Sequence, residues 1–271
     1  MRQNRRNAKI GVGARLGQHF LKTPWAARAL ARAAGITSGE TILEIGPGKG
    51  ALTRELLSLS KKVVAIEKDE ALVKKLRETF AQEISTGALT VISGDIRDIT
   101  PKKLGLESGK YILAANIPYY ITGEIIRQFL TAEEQPRAMA LLAQKEVARR
   151  IVSKKESLLS LSVKVYGVPK IVIKVPRGNF SPAPNVDSAI LLIDNISRDF
   201  FKSVNEELFF KVIHAGFKSK RKFLLNNLGV VFGKESATRA FISCEINLKA
   251  RAEDVPLENW KRLALELATS N

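Results

Sequence analysis

Thr41-Ile42-Leu43-Glu44-Ile45-Gly46-Pro47-Gly48-Lys49-Gly50-Ala51-Leu52-Thr53 reads as a strand that runs into a glycine turn and then a helix. Ile42, Leu43 and Ile45 form the short apolar run of a strand covered on both faces. Gly46, Gly48 and Gly50 carry no Cβ, which permits a tight turn and leaves the backbone open to a ligand. The helix beyond points its unpaired N–H groups at whatever sits on that turn. A second strand, Val63-Val64-Ala65-Ile66, ends in Glu67, 21 residues after Gly46. That is close to the ~20-residue spacing at which a carboxylate meets the ribose hydroxyls of a nucleotide-like cofactor. Gly46-Pro47-Gly48-Lys49-Gly50-Ala51 also fits the G-x-G-x-x-G/A dinucleotide pattern. On these residues a nicotinamide dehydrogenase and a methyltransferase both stay open.

The alternation of strand and helix continues on either side. Proline in the first turn predicts a helix from Pro24 to about Ala34. Asp69 is placed to cap a helix reaching about Phe80, with Leu72, Val73, Leu76 and Phe80 at helical spacing. Further strands are expected over 88–93, 111–115 and 138–143, and helices over 123–130, 145–152 and part of 158–166. Gly94-Asp95-Ile96 follows one of these strands, and a carboxylate there lies on the ligand-binding edge of an open α/β sheet. Two more strands, 170–175 and 188–193, have no helix between them and should form an antiparallel hairpin at one edge. The order implies an α/β fold with a mostly parallel sheet and right-handed crossovers. Beyond about Asn195 only helices are expected, over 206–217, 220–228, 236–242 and 257–268. The predicted organisation is a flexible basic arm (1–15), an α/β catalytic domain (16–195) and a small all-helical C-terminal domain (196–271).

Charge narrows the partners. Across 271 residues, Lys and Arg number 44 against 27 Asp and Glu, a net +17. A balance so far from neutral points to a polyanion, nucleic acid before acidic membrane. The cations cluster. Arg2, Arg5, Arg6, Lys9 and Arg15 stand without an acidic residue among the first 39. Arg149, Arg150, Lys154 and Lys155 form a second group, and Lys218, Lys220, Arg221 and Lys222 a third. Each can hold several phosphates, with binding that falls steeply in salt. The Arg-rich start also has the composition of an organelle-targeting peptide, but a distinctive motif begins as early as Leu16. The longest stretch without a charge, residues 111–123, is 13 residues and contains a proline, so no membrane span is expected. No apolar core of a secretory signal follows the basic start. Cys244 is the one cysteine, which excludes an internal disulfide framework and fits a reducing, cytoplasmic setting. His19 and His214 are the only histidines, so neither a zinc site nor a Ser-His-Asp hydrolase is expected.

Asn116-Ile117-Pro118-Tyr119 carries the chemistry. It leaves a strand at the edge already holding Gly46, Glu67 and Asp95. An exocyclic amine on a base is a poor nucleophile, because its lone pair is delocalised into the ring. Two acceptors, the Asn116 side-chain oxygen and the Pro118 carbonyl, can hold both amine hydrogens and favour the pyramidal nitrogen that attacks a methyl group. Proline suits the position because it donates no N–H and stiffens the loop. Tyr119 can stack on an extruded base, and Phe180, in a loop stiffened by Pro182 and Pro184, can close on its other face. Methyl transfer from a sulfonium is an in-line displacement that rests on positioning, so no metal or general base is required. Taken singly, each motif also has a plainer reading, an Asn-x-Pro turn or a core phenylalanine. Spacing alone likewise makes His19 an ordinary surface histidine.

Together, Leu16-Gly17-Gln18-His19-Phe20-Leu21, Glu44-Ile45-Gly46-Pro47-Gly48-Lys49-Gly50, Asn116-Ile117-Pro118-Tyr119-Tyr120 and Phe180-Ser181-Pro182 resemble the rRNA adenine dimethyltransferases. Gln144-Lys145-Glu146-Val147, Pro184-Asn185-Val186-Asp187-Ser188 and the Lys-Arg-Lys and Asn226-Asn227-Leu228 of residues 217–228 resemble the KsgA/RsmA (Dim-type) branch rather than the Erm-type resistance methylases. The resemblance, which spans about residues 15–268, implies a class I, Rossmann-like methyltransferase with a mostly parallel seven-stranded sheet, using S-adenosyl-L-methionine. It implies that His19 and Leu21 line the cofactor pocket and that Gly46 lies against the methionine part. Glu67 would take the ribose hydroxyls, Asp95 the adenine amine with Ile96 beside the ring, and Asn116 would lie next to the methyl centre. Asn116, Pro118, Tyr119 and Phe180 would hold the target adenine. Arg149, Arg150, Lys218, Lys220, Arg221 and Lys222 would bind RNA. The implied substrate is two adjacent adenines in the 3′-terminal hairpin loop of 16S rRNA, in the assembling 30S particle; a monomer is the default expectation, and the residues themselves predict no metal and no membrane. An Erm-type enzyme acting on 23S rRNA and a non-catalytic assembly factor are the alternatives. One stretch departs from the family pattern: where most relatives carry Pro-Gly-Ser-Lys-x-Tyr-Gly, residues 152–160 are shorter and lack the Tyr-Gly.

Overall fold

Short runs of Val, Ile, Leu and Ala, buried on both faces, build the centre of the molecule. The computed structural model describes residues 18–37 and 39–268. The basic arm expected over 1–15, with Arg2, Arg5, Arg6, Lys9 and Arg15, lies outside the described residues, as do Leu16 and Gly17. The first half comprises β1 (Phe20–Leu21), α1 (Pro24–Ala33), β2 (Thr41–Ile45), α2 (Ala51–Leu57), β3 (Val63–Glu67), α3 (Glu70–Thr79), α4 (Ala81–Ser85) and β4 (Leu89–Ser93). Next come β5 (Tyr111–Ala115), α5 (Thr122–Leu130), β6 (Ala138–Gln144), α6 (Lys145–Val152), α7 (Leu158–Lys164), β7 (Val168–Val175), β8 (Phe180–Ser181) and β9 (Ser188–Asp194). Helices α8 (Glu206–Phe217), α9 (Leu224–Phe232), α10 (Lys234–Ser243) and α11 (Leu257–Ala268) follow.

Seven strands form one sheet in the order β4-β3-β2-β5-β6-β9-β7. Only β9 runs against the rest, paired antiparallel to both β6 and β7. The expected hairpin is therefore present, with its second strand inserted between β6 and the edge strand β7. Register places the functional edge. Ile45 lies opposite Ile66 and Ala115, and Glu67 opposite Ser93, so Gly46, Glu67, Gly94 and Asn116 all emerge together. As expected, Asp69 caps α3, its carboxylate accepting from the N–H groups of Ala71 and Leu72. One small ladder escaped the sequence reading: β1 pairs antiparallel with β8, setting Leu21 opposite Phe180.

Leu43, Leu113 and Leu141 on one sheet face share a continuous apolar core with Phe209, Trp260 and Leu263 of the C-terminal helices. α1 packs its buried Ala26, Leu30 and Ala31 on the other face. A helix expected over 220–228 instead begins at Leu224 and runs to Phe232. Asn227 explains the delay. Its side-chain amide donates to the carbonyls of Gly216 and Ser219, satisfying groups freed at the end of α8 and holding 219–222 as a turn. That turn also keeps Lys218, Lys220, Arg221 and Lys222 off one helix face, where like charges repel.

The C-terminal helices meet at Gly216, where an added Cβ would lie 2.3 Å from the Trp260 ring and 2.7 Å from Leu224. Gly216→Ala should therefore destabilise the protein by about 1–3 kcal/mol through overpacking. Urea unfolding followed by tryptophan fluorescence checks this, and an unchanged midpoint would contradict the packing described.

Candidate active site

Turn geometry comes first. Gly46, Gly48 and Gly50 all take left-handed φ values, +67°, +59° and +80°. The room their missing Cβ atoms leave is used unequally. At Gly48 a Cβ would stand 2.9 Å from the Phe20 ring, and at Gly50 2.5 Å from Phe80. Two of the three glycines thus admit protein aromatics, which corrects the expectation that all three leave space for a ligand. A Cβ on Gly46 would meet only ordinary contacts, the nearest being Ile117 at 3.5 Å.

Beside Gly46 lie two adjoining hollows. One is lined by Gln18, His19, Leu21, Gly48, Glu67 and Asn116, the other by Glu67, Asp95, Ile96, Arg97, Pro118 and Tyr120. Gly46, Gln18, Glu67 and Pro118 border both. Glu67 is buried, and each of its oxygens accepts a backbone N–H at 3.0 Å, Oε2 from Gly48 and Oε1 from Asp69. A carboxylate oxygen has two lone pairs, so one on each stays open. Asp95 is more fully engaged. It accepts from Lys68 Nζ at 2.9 Å and from Arg97 through Nε, Nη2 and the backbone N–H at 3.0, 2.6 and 3.1 Å. The Arg97 guanidinium, aided by Lys68 and opposed by burial, holds the Asp95 carboxyl well below the usual carboxylate range. Arg97 and Lys68 went unnoticed in the sequence, although Arg97 stands only two residues beyond Asp95.

Above the hollows, Asn116 Nδ2 donates to the backbone carbonyl of His19 at 3.1 Å. A carbonyl only accepts, so this contact turns the N–H end of the amide toward His19 and leaves Oδ1 as the acceptor end. The Pro118 carbonyl takes the Ile121 N–H at 3.2 Å and keeps one lone pair. Tyr119 is half-buried, its hydroxyl 2.6 Å from Ser188 Oγ and its ring stacked on His19 at 5.7 Å between centroids. Burial pushes the Tyr119 phenol up, against the smaller effect of Ser188, so it stays protonated at neutral pH. Phe180 is 2% exposed and packed with the α1 face of the core, so the ring expected from sequence to meet a base is buried in this structure. Asn179 fastens this corner: its Oδ1 accepts from Thr23 Oγ1 at 2.7 Å and Trp25 Nε1 at 2.9 Å.

A second, wider cleft runs between α6–α7 and the turn after α8. Arg149, Arg150, Lys155, Phe217 and Lys220 line it, with Glu146 and Glu253. Lys218, Arg221 and Lys222 are exposed on the same turn but do not line the cleft. The short 152–160 segment is anchored along this wall. Its buried Glu156 takes Lys164 Nζ and Ser160 Oγ, both at 2.7 Å, and Ser157 caps α7. Among the described residues no group of His, Cys, Asp and Glu has the makings of a metal site, and no helix is long and apolar enough to cross a membrane.

The sheet order, its single antiparallel strand beside the edge, and the carboxylates closing β3 and following β4 define a class I, Rossmann-like methyltransferase. The ribosomal RNA adenine dimethylase model matches residues 12–269, and the chain belongs to that family. The dehydrogenase reading left open by the glycine turn is thereby closed. The chain is 40% identical over 257 residues to the ribosomal RNA small subunit methyltransferase A of Dehalococcoides mccartyi strain CBDB1, covering 93% of this chain and 87% of that protein. It is 35% identical over 261 residues to the protein of the same name from Moorella thermoacetica, covering 93% and 91%. Among solved structures, a dimethyladenosine transferase from Plasmodium falciparum superposes with a TM-score of 0.80 at 25% identity, over 93% of this chain and 98% of that one. The 23S rRNA methyltransferase ErmE gives 0.75, also at 25% identity, over 92% and 99%.

Beneath the turn sits a carboxyl group of another kind. Glu44 is fully buried on β2, and neither of its oxygens nor Thr53 Oγ1 completes a hydrogen bond among the described residues. Burial pushes the Glu44 carboxyl from 4.5 up to about 8, with Thr53 drawing it part-way back and Glu67 adding to the rise. Between those values the folded state keeps a proton that the unfolded state has released, so stability falls as pH rises from 4.5 through about 8. Glu44→Gln should remove that slope. Urea unfolding near either end of the window should show the natural chain losing several kcal/mol more than the variant, and equal losses would refute the buried neutral acid.

Proposed function

We propose that this chain transfers methyl groups from S-adenosyl-L-methionine to the N6 amines of two adjacent adenines in the 3′-terminal hairpin loop of 16S rRNA. The product is N6,N6-dimethyladenosine, made during assembly of the small subunit. One observation carries the reading: Asn116 and Pro118 line one hollow with Gly46 and Glu67, and Tyr119 follows them on the same loop. That hollow belongs to a chain whose relatives at 35–40% identity are named small-subunit methyltransferases.

The residues present suit the cofactor. Glu67 keeps a lone pair on each oxygen for ribose hydroxyls, and Ile96 offers an apolar wall beside Asp95. His19, Leu21 and Gly46 line the methionine side, and Asp95 takes the adenine amine once Arg97 or Lys68 yields an oxygen. When bound, S-adenosylmethionine supplies an electrophilic methyl carbon. Asn116 Oδ1 and the Pro118 carbonyl would accept the two N6 hydrogens of the unmethylated base, turning the nitrogen lone pair toward that carbon. As the N–C bond forms the methyl–sulfur bond breaks and one N6 proton leaves to solvent, so the second transfer has one N6 hydrogen left to hold. Tyr119 stacks on the base as a protonated phenol, so it acts by position and not as a base. Phe180 closes the opposite side of the base site from its buried place beside β1.

Arg149, Arg150 and Lys220 hold RNA phosphates across the wide cleft, with Lys218, Arg221 and Lys222 extending the contact. The enzyme works as a cytoplasmic monomer without metal. Replacing Arg150 with Ala should weaken RNA binding and reduce its salt slope by about one unit.

The similarity to ErmE supports a second reading, methylation of one adenine in 23S rRNA. Labelled S-adenosylmethionine offered with unmethylated small subunits and, separately, large-subunit rRNA tests both. Dimethyladenosine confined to the small subunit's 3′-terminal hairpin is expected, and label only in large-subunit RNA would replace the proposal with the second reading. Glu67→Ala should weaken cofactor binding about 10- to 100-fold through lost charged hydrogen bonds. Asn116→Ala should leave cofactor affinity near its original value and lower turnover at least ~100-fold. Equal loss of affinity in both variants would contradict the role given to Asn116.

A further inference from the structure

His19 touches more of the proposed base-holding machinery than any cofactor-lining role requires. Its backbone carbonyl takes Asn116 Nδ2 at 3.1 Å, its ring stacks on Tyr119, and its Nδ1 lies 2.8 Å from the Pro182 carbonyl. The Pro182 carbonyl can only accept, so Nδ1 carries the proton and the ring is fixed in one tautomer and orientation. Pro182 belongs to the loop that begins with Phe180. One residue just before β1 thus joins the 116–120 loop to the 180–184 loop, two segments far apart in sequence.

The consequences are geometric. Ser188 grips the Tyr119 hydroxyl from β9, and His19 supports the ring face, so the tyrosine is held at two points. The His19 carbonyl occupies the donor end of the Asn116 amide, which makes Oδ1 the end left for an amine. Without that contact the amide is free to turn, and a donor facing an exocyclic amine would repel it.

Resting on the reading above, we propose that His19 is a positioning residue for the target adenine: its Nδ1–H bond to Pro182 clamps the two loops and thereby sets Asn116 and Tyr119. The step it serves is base placement, so losing the clamp lowers the transfer rate further than the cofactor affinity that His19 also supports from the pocket wall. Asparagine places an amide N–H close to where His19 carries Nδ1–H, so it preserves the clamp while removing the ring. Phenylalanine preserves the ring and removes the clamp.

Single-turnover methyl transfer, cofactor Kd and RNA Kd are measured for His19→Ala, His19→Asn and His19→Phe in the full chain. Misplacement of the acceptors should lower the transfer rate of His19→Ala about 10- to 100-fold at saturating cofactor, with cofactor Kd rising by clearly less than the rate falls. His19→Asn should recover most of the rate and His19→Phe little of it. An unchanged rate in His19→Ala overturns the proposal, as does a cofactor Kd that rises in step with the lost rate. Rescue by phenylalanine and not by asparagine overturns the hydrogen-bond clamp. If the alanine variant does not fold, the asparagine–phenylalanine comparison decides alone. The natural chain separates this proposal from the one it rests on. Should it methylate large-subunit rRNA instead, the same comparison runs on that substrate, and should it methylate no adenine, both proposals fall.

Discussion

Glu67 joins the end of one strand to the turn of another. Its carboxyl group is buried where β3 stops, and it is satisfied by the N–H of Gly48 on one side and Asp69 on the other. A buried carboxyl with no donors would be costly, and here the backbone supplies them. In return the glycine turn after β2 is tied to the start of α3, which Asp69 caps. Two strand ends and a helix are thereby fixed around one side chain, and Gly46 is left facing the hollows. Glu44, one turn away under the same loop, meets the opposite fate. Thr53 beside it completes no hydrogen bond and draws the carboxyl only part-way back, so it keeps a proton instead, and neighbouring carboxyls on adjacent strands serve as anchor and neutral filler.

A second joint works at longer range. β1 is only two residues long, yet it sets Phe20 over Gly48, pairs with β8, and presents the His19 carbonyl to Asn116. Asn179 locks the far side of this corner to the start of α1. The Asn-Ile-Pro-Tyr loop is therefore held between the N-terminal strand and a loop more than sixty residues downstream. Each contact is modest, about 1 kcal/mol for a typical hydrogen bond. Their value lies in orientation, since acceptors placed an ångström off lose most of their use.

Charge is divided in a matching way. Arg149, Arg150 and Lys220 line an open cleft where water and phosphate can reach them, while the buried Glu156 ties the wall of that cleft together through Lys164 and Ser160. The segment that departs from the family pattern is thus built into the wall.

The amino-acid sequence by itself determined the seven strands of the main sheet, most helices, the functional edge of the sheet and the family. Those features rest on local patterning: apolar runs, caps, glycine punctuation, and motifs that each occupy a few consecutive residues. β7 and β9 could be read as a hairpin because nothing helical separates them, but not that β9 enters the sheet beside β6. The start of α9 was misplaced because Asn227 acts on carbonyls eight and eleven residues behind it. Only the tertiary structure decided that Phe20 and Phe80 fill the glycine spaces, that Phe180 is buried in the α1-side core, and that Arg97 and Lys68 saturate Asp95. It also decided that His19 meets Asn116, Tyr119 and Pro182. These are contacts between residues distant along the chain, set by strand order and register, and no local spacing encodes which side chains such packing brings together.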